Sequence, residues 1–173
     1  MIRFVRSIDR EDLLRVYAGH HDFEYINFAV SKTNYLHWIE IDRNFFRDLL
    51  LNSDAHYLTL DQPEYPSLQK VISQIRHMPD FLLTPPPHSN YRGLNGLHVK
   101  ASLEDLESGM DLISDQPPVI VDKTIFPAMT QQNSSHYIID GMHKLVAYGL
   151  WEKTTFPISL YVCSLSDPID RAY

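Results

Sequence analysis

The chain has 173 residues, of which 44% are hydrophobic and 21% charged, and its 15 basic and 22 acidic side chains give a net charge of −7. This composition is typical of a folded globular protein, and the acidic balance argues against the broad basic surface that duplex DNA binding requires. The single cysteine, Cys163, excludes an internal disulfide framework and a cysteine-rich zinc site. Neither a signal peptide nor an apolar run long enough to cross a membrane is visible, so we expect a cytoplasmic protein.

The first part of the chain predicts a helix followed by a β-hairpin. Residues 7–17 combine early acids with apolar positions at helical spacing, which predicts a short helix ending near Gly19. Residues 23–30 and 35–41 are rich in aromatic and β-branched residues and flank a polar tetrapeptide, a pattern typical of two hairpin strands. Their aromatic side chains could stack on bases, but no basic residues are interleaved with them, so core packing is the better interpretation.

Two amphipathic helices and a proline-rich loop are predicted next. Apolar residues recur at helical spacing over residues 42–52 and 67–78, with a short strand between them at residues 56–60. Three consecutive prolines exclude a regular element from residues 84–96. The predicted organisation is therefore a helix and hairpin elaboration at residues 1–83, a loop at 84–96 and a C-terminal unit at 97–173.

The C-terminal unit is predicted to combine strands and helices. A strand-like segment at residues 96–100 precedes a short helix at residues 102–109 that has a serine cap and a terminal glycine. The elements that follow are strands at residues 118–122, 137–139 and 157–163 and a helix at residues 141–148. The sequence therefore predicts an α+β protein.

The junction from Asp140 to Lys144 is the most informative segment for function. It joins an apolar strand to the first turn of a helix, where backbone N–H groups and the helix dipole favour an anion. Asp140 is placed to cap this helix, and Gly141 would let a ligand approach the backbone. His143 and Lys144 lie in the first turn, where both could flank one phosphate. From these local features alone, a capped helix with a solvated first turn is the simpler interpretation.

These pieces resemble the ParB/sulfiredoxin superfamily over about residues 97–163. In that family a Pro-Ile-Val strand is followed by another strand and by an Asp-Gly-x-His-Arg motif that opens a helix. The matching pieces here are Pro118-Val119-Ile120-Val121 and Asp140-Gly141-Met142-His143-Lys144. The resemblance implies a mixed sheet with flanking helices and a motif that binds nucleotide phosphates, ATP in the sulfiredoxins and free serine kinases and CTP in the partition proteins. It assigns Gly141, His143 and Lys144 to phosphate contact.

Three departures from the family narrow what the resemblance implies. Sulfiredoxins carry a catalytic cysteine where this chain has Met142, so repair of sulfinic acids is not expected. Partition proteins continue into a DNA-reading domain, whereas the chain after Lys144 is short and the net charge is acidic. Lysine also replaces the usual arginine, which keeps a positive charge but loses the bidentate fork for phosphate. The free serine kinase type and a non-catalytic nucleotide-sensing domain remain.

We therefore expect an ATP-dependent kinase or phosphotransferase that uses Mg²⁺ and acts on a small hydroxyl-bearing molecule. Phosphoryl transfer needs carboxylates for Mg²⁺ and for the attacking hydroxyl, and the candidates are Asp140, Asp122 and Glu104. Glu104 could instead belong to a solvated helix face, and Asp122 could be a strand-end turn residue. The alternative is a non-catalytic ParB-like regulatory or interaction module that binds a nucleotide, a protein or nucleic acid. The leading hypothesis implies a nucleotide and a small-molecule acceptor as partners, with neither nucleic acid nor membrane.

The nine histidines do not predict a metal site, because none shows the spacing of a helical or finger-type ligand motif. His20 and His21 are expected in a loop after the first helix. His98 and His136 are expected in strands of the C-terminal unit, where strand packing is a simpler explanation than contact with a ligand.

Overall fold

The computed structural model describes residues 2–53, 96–125 and 136–166, which form a mixed α+β structure. Its five strands are β1 (Ile2–Ser7), β2 (Tyr35–Ile41), β3 (Val119–Asp122), β4 (His136–Asp140) and β5 (Ile158–Ser164). The helices that flank them are α1 (Arg10–Val16), α2 (Phe23–Lys32), α3 (Arg43–Ser53), α4 (Gly96–Glu107) and α5 (Met142–Leu150), and a 3-10 turn follows β3 at Lys123–Ile125. The predicted α+β class is confirmed at this level.

The five strands form one mixed sheet in the order β1-β2-β5-β3-β4. β2 pairs antiparallel with β1 and with β5, β5 pairs parallel with β3, and β3 pairs antiparallel with β4. In this last pair Val119 lies opposite Asp140, and Asp122 lies opposite His136. The start of β3 therefore lies beside the end of β4, where the chain turns into α5.

Apolar side chains cover both faces of the sheet. On β5, Leu160 and Val162 point to one face while Tyr161 and Cys163 point to the other, as the period of two along a strand requires. The first face packs against α3, α5 and the start of α4, and its central residues are Ile39, Phe46, Leu49, Val99, Ile120, Ile138, Leu145 and Val146. The second face packs against α1 and α2 through Leu13, Tyr17, Ile26, Ala29 and Val30. Helices on both faces thus bury the sheet.

Residues 23–30 lie in helix α2, so the prediction of a hairpin with β2 is wrong. Ile26, Ala29 and Val30 are buried, which is the i, i+3, i+4 spacing of a helix face packed on a sheet. Tyr25 and Phe28 point outward and are exposed. The aromatic and β-branched residues signal a strand by propensity, but strand propensity is weak where tertiary packing favours another element. The antiparallel neighbour of β2 on that side is instead β1, which was not predicted.

Residues 96–100 form the first turns of α4, so the predicted strand there is also wrong. The helix runs on through the segment that was predicted as a separate short helix. Val99, Leu103 and Leu106 are buried along one stripe, four and three positions apart. Val99 contacts the sheet side of the core, whereas Leu103 and Leu106 pack with Ala147 of α5.

The remaining described elements agree with the sequence. The predicted helices corresponding to α1, α3 and α5 and the predicted strands corresponding to β2, β3, β4 and β5 are confirmed within a few residues at each end. The strand predicted at residues 56–60, the helix predicted at 67–78 and nearly all of the loop predicted at 84–96 lie outside the described residues. The three-part division of the chain stays a prediction. In the described part of the chain, no helix has the length and apolar character needed to span a membrane.

Candidate functional site at the turn from β4 to α5

The candidate site is centred on residues 140–144, here called the β4–α5 corner. Gly141, not Asp140, is the N-cap of α5, so the prediction that Asp140 caps this helix is wrong. Gly141 has φ of 85°, a left-handed conformation that glycine adopts at little cost. A Cβ atom at this position would lie 2.7 Å from Cβ of Pro118. The corner therefore needs glycine both for its backbone conformation and for close packing on the segment that leads into β3.

Asp140 is a buried carboxylate surrounded by ionisable side chains. Its Oδ1 atom lies 3.7 Å from Nε2 of His20, and the charges of Asp22 and Lys144 also act on its carboxyl group. Burial raises the pKa of Asp140; His20 and Lys144 oppose this rise, whereas Asp22 adds to it. The carboxyl group thus lies where a proton or a cation is readily held.

A His-His-Asp sequence from the loop between α1 and α2 reaches the same corner. The backbone N–H of Asp22 donates to Nδ1 of His20 at 3.2 Å, and Nε2 of His21 lies 3.1 Å from Oδ2 of Asp22. One nitrogen of each imidazole and one carboxylate oxygen of Asp22 lie within 4.8 Å of one another. The three side chains therefore form a compact set of potential metal ligands.

The position of this loop follows from how α1 ends. The N–H of His20 donates to the carbonyl of Tyr17 at 2.9 Å, and Gly19 has a positive φ of 80° that reverses the chain. The Tyr17 side chain is fully buried, and its hydroxyl donates to the carbonyl of Pro117. Burial, followed by the charge of Asp140, raises the pKa of Tyr17, which keeps the hydroxyl protonated as a donor. Tyr17 thereby fixes the loop against the segment that leads into β3.

His143 lies in the first turn of α5 between histidines from two other elements. Its ring centroid is 5.2 Å from that of His98 on α4, and His21 acts on it electrostatically. Burial, then His98, then His21 lower the pKa of His143 to about 4. The imidazole is therefore neutral at physiological pH and can donate and accept hydrogen bonds but carries no charge.

Lys144 is the cationic residue of the corner. Its Nζ atom donates to the carbonyl of Gln116 at 3.0 Å. Burial lowers the pKa of Lys144, while Asp140 and Asp115 oppose this by stabilising its charge. The ammonium group is thus held between the end of β4 and the segment that leads into β3.

The other two predicted carboxylates lie away from this cluster. Asp122 is buried at the opposite end of β3 from Val119, the residue that pairs with Asp140. The two positions are three residues, or roughly 10 Å, apart along the strand. Its Oδ1 atom accepts hydrogen bonds from the backbone N–H and hydroxyl of Thr124 at 2.9 and 2.7 Å. Glu104 is exposed on α4, about 9 Å along the helix axis from His98. Of the three predicted carboxylates, Asp140 therefore lies at the β4–α5 corner, and Asp122 and Glu104 do not.

The residues that the sequence did not predict for the site are His20, His21 and Asp22. Their only signal in the sequence is two adjacent histidines and an acid directly after a predicted helix. His136 is buried in β4 with its ring centroid 5.5 Å from that of Phe45, in accord with strand packing. Comparisons of the chain with protein-family models, curated proteins and solved structures gave no significant match. Any functional assignment therefore depends on the chemistry of the corner.

Proposed function

We propose that the β4–α5 corner binds the phosphate groups of a nucleotide, and that the protein is an ATP-dependent phosphotransferase acting on a small hydroxyl-bearing molecule. One observation carries this proposal: the first turn of α5 carries Lys144, and the charge of its ammonium group interacts with that of the buried Asp140 carboxyl group directly before the helix. Phosphoryl transfer depends mainly on positioning and charge stabilisation, and these are the groups it requires. The resemblance of residues 140–144 to the ParB/sulfiredoxin motif supports a nucleotide as the ligand.

The proposed phosphate contacts differ in kind. α5 has nine residues, so its N-terminal turn presents backbone N–H groups and the positive end of a helix dipole. Lys144 supplies positive charge, and its bond to the Gln116 carbonyl keeps the flexible side chain at the corner. His143 contributes a neutral hydrogen-bonding group, because its pKa is about 4. Gly141 contributes the left-handed turn that leads into α5, and Pro118 occupies the space beside its Cα.

Asp140 is the residue that would hold the Mg²⁺ ion of a bound nucleotide. Carboxylate oxygen is the ligand type that Mg²⁺ prefers, and the carboxyl group of Asp140 is buried next to Lys144 and Asp22. Mg²⁺ would supply neutralisation of the charge on the phosphates. Asp122 and Glu104 take no part in this proposal, because both lie away from the corner.

Calorimetric titration with ATP, ADP and CTP in the presence of Mg²⁺ tests nucleotide binding. We expect one equivalent of a nucleotide to bind, and Lys144→Ala to weaken binding by at least about tenfold because a charge-assisted contact is lost. Lys153→Ala is the matched control, since Lys153 is an exposed lysine that follows α5. The proposal fails if none of the three nucleotides binds, or if the two lysine variants behave alike.

A non-catalytic interaction module is the second candidate, and exposed aromatic residues on α2 favour it. Tyr25 is 44% and Phe28 47% exposed, and they lie one helical turn apart on the face directed away from the sheet. This candidate predicts no nucleotide turnover, whether or not a nucleotide binds. Release of ADP from ATP, measured with a panel of hydroxyl-bearing metabolites, separates the two candidates: acceptor-dependent ADP formation supports the transferase, and its absence with bound ATP supports the module.

A further inference from the structure

We propose that His20, His21 and Asp22 bind a transition-metal ion of the Zn²⁺ class, and that Asp140 orients His20 for this role. The starting observation is that one potential ligand atom from each of the three residues lies within 4.8 Å of the other two. The metal site requires no nucleotide and therefore goes beyond the proposed phosphotransferase function.

The chemistry of the three side chains selects the ion. Two imidazole nitrogens and one carboxylate oxygen are ligands for Zn²⁺ and related first-row divalent ions, whereas Mg²⁺ and Ca²⁺ prefer oxygen ligands alone. Three protein ligands are also the number found in zinc sites that keep one position open for water or a substrate. We therefore expect such an ion to retain an exchangeable position next to the phosphate-binding groups of the β4–α5 corner.

The hydrogen bonds of His20 are compatible with ligation through Nδ1. Nδ1 accepts from the Asp22 N–H at 3.2 Å, so this nitrogen carries the lone pair. The proton is then on Nε2, which faces Oδ1 of Asp140 at 3.7 Å, a distance slightly too long for a hydrogen bond that a small movement of the ring would close. A carboxylate that receives the second N–H of a ligating histidine is a common feature of metal sites, because it fixes the tautomer and the ring orientation. A metal ion would replace the Asp22 N–H as the partner of Nδ1.

Asp22 supplies the negative charge of the proposed ligand set. Its carboxylate lies 3.1 Å from Nε2 of His21, and its charge acts on the nearby carboxyl group of Asp140. A divalent ion on Asp22 would offset the repulsion between these two carboxylates.

The site is also both preorganised and accessible. The N–H of Phe23 donates to the carbonyl of His20 at 3.0 Å, and the N–H of His20 donates to that of Tyr17, so the backbone of the loop is fixed. The side chain of His21 is 81% exposed, which leaves an entry path from solvent. Because the ligands already lie close together, little ordering of the chain is required on binding.

The test is titration of the chelator-treated protein with Zn²⁺ by calorimetry and with Co²⁺ by visible absorption, both without nucleotide. We expect one equivalent of Zn²⁺ to bind and Co²⁺ to give the absorption of a four- or five-coordinate ion. His21→Ala and Asp22→Asn should weaken Zn²⁺ binding by more than about 100-fold, and Asp140→Asn by roughly 10- to 100-fold, the usual cost of losing an outer partner. Circular dichroism of each variant checks that it is folded.

His98→Ala is the matched control, because His98 is an exposed histidine that contacts His143 and is not one of the three ligands. Its Zn²⁺ affinity should stay within about twofold of that of the unmodified chain. The inference is overturned if Zn²⁺ does not bind, or if His21→Ala and Asp22→Asn affect binding no more than His98→Ala does. Zn²⁺ binding without nucleotide binding would retain the metal site and remove the phosphotransferase proposal, and the reverse result would do the opposite.

Discussion

Nε2 of His20 lies 3.7 Å from Oδ1 of Asp140, which ties the loop after α1 to the turn between β4 and α5. Both side chains are largely buried, with 18% and 7% of their surfaces exposed. His20 and Asp140 meet because α1 and α2 pack on the sheet face that carries Val119 and Tyr137. The loop between these two helices therefore lies beside the start of β3 and the end of β4. Residues distant in sequence thereby form one ionisable cluster.

Replacement of Asp140 by asparagine is expected to stabilise the fold while impairing binding. Burial and Asp22 raise the pKa of Asp140 above its unfolded value of 3.8, so the folded state binds more protons and stability falls as the pH rises from about 4 through the folded pKa. At neutral pH the asparagine removes this unfavourable ionisation, so we expect the free energy of unfolding to rise, and to rise more at pH 8 than at pH 5. Urea unfolding at pH 5 and pH 8 measures the effect.

The matched control for that variant is Asp48→Asn, which neutralises an exposed aspartate on α3. Its free energy of unfolding should change by less than about 0.5 kcal/mol. If Asp140→Asn instead lowers stability more at pH 8 than at pH 5, the charge of Asp140 is favourable to folding, and the electrostatic description of the cluster is incorrect.

Gly141→Ala is expected to be much more destabilising than Gly109→Ala. Both glycines have positive φ, 85° and 91°, so alanine introduces similar backbone strain of about 1 kcal/mol at each position. At Gly141 the new methyl group would also lie 2.7 Å from Cβ of Pro118, whereas nothing lies within 4 Å at Gly109. We expect a loss of about 2–4 kcal/mol for Gly141→Ala and about 1 kcal/mol for Gly109→Ala. Chemical denaturation that gave equal losses would exclude a packing role for Pro118.

Local sequence patterns predicted strands and helices well where a single pattern, either a high apolar content or helical spacing of apolar residues, was clear. β3 and β5 are rich in apolar residues, and α3 has apolar residues at helical spacing with polar residues between them. The prediction was wrong for α2, because its buried helix face is aliphatic while its aromatic residues Tyr25 and Phe28 are exposed, a division that propensity alone does not reveal. β1 escaped prediction because an edge strand with mostly exposed side chains has little apolar alternation.

The candidate site was only partly predictable for a related reason. Asp140, His143 and Lys144 are contiguous, so the strand-to-helix turn that brings them together is a local feature. His20 and Asp22 join them only because α1 and α2 pack on one face of a sheet whose strand order is not encoded in any local pattern. A correct prediction of α2 as a helix would have placed the two histidines in an interhelical loop, but not beside Asp140.

Tyr17→Phe should destabilise the protein although it removes a single oxygen atom. The Tyr17 hydroxyl is buried and donates to the Pro117 carbonyl, so phenylalanine leaves that carbonyl without this donor. The expected loss is about 1–2 kcal/mol by denaturant unfolding. Tyr35→Phe is the matched control, because Tyr35 is an exposed tyrosine whose ring stacking on His37 phenylalanine would retain, and it should change stability by less than about 0.5 kcal/mol. Equal effects in the two variants would show that the buried hydroxyl contributes nothing to stability.

The thiol of Cys163 should be unreactive in the folded protein. Cys163 lies in β5, is fully buried, and has a pKa raised by burial from 9.0 to about 12. Because the thiolate is the nucleophile, we expect iodoacetamide at about pH 8.5 to leave the folded chain unmodified and to alkylate it fully in concentrated guanidinium chloride. As this is the only cysteine, one mass shift reports the reaction. Rapid alkylation of the folded chain would contradict the burial of β5.

The same raised pKa has a consequence for stability at alkaline pH. The unfolded chain loses the thiol proton near pH 9, whereas the folded chain keeps it up to about pH 12, so the folded state binds more protons in that interval. Stability should therefore fall as the pH rises from 9 to 12. Burial also raises the pKa values of Tyr17, Tyr137 and Tyr161, so these tyrosines should add to the loss of stability at the upper end of this pH range. Cys163→Ala should reduce the slope of unfolding free energy against pH between 9 and 10, where the tyrosines contribute least. An unchanged slope would mean that the thiol ionises alike in the folded and unfolded chains.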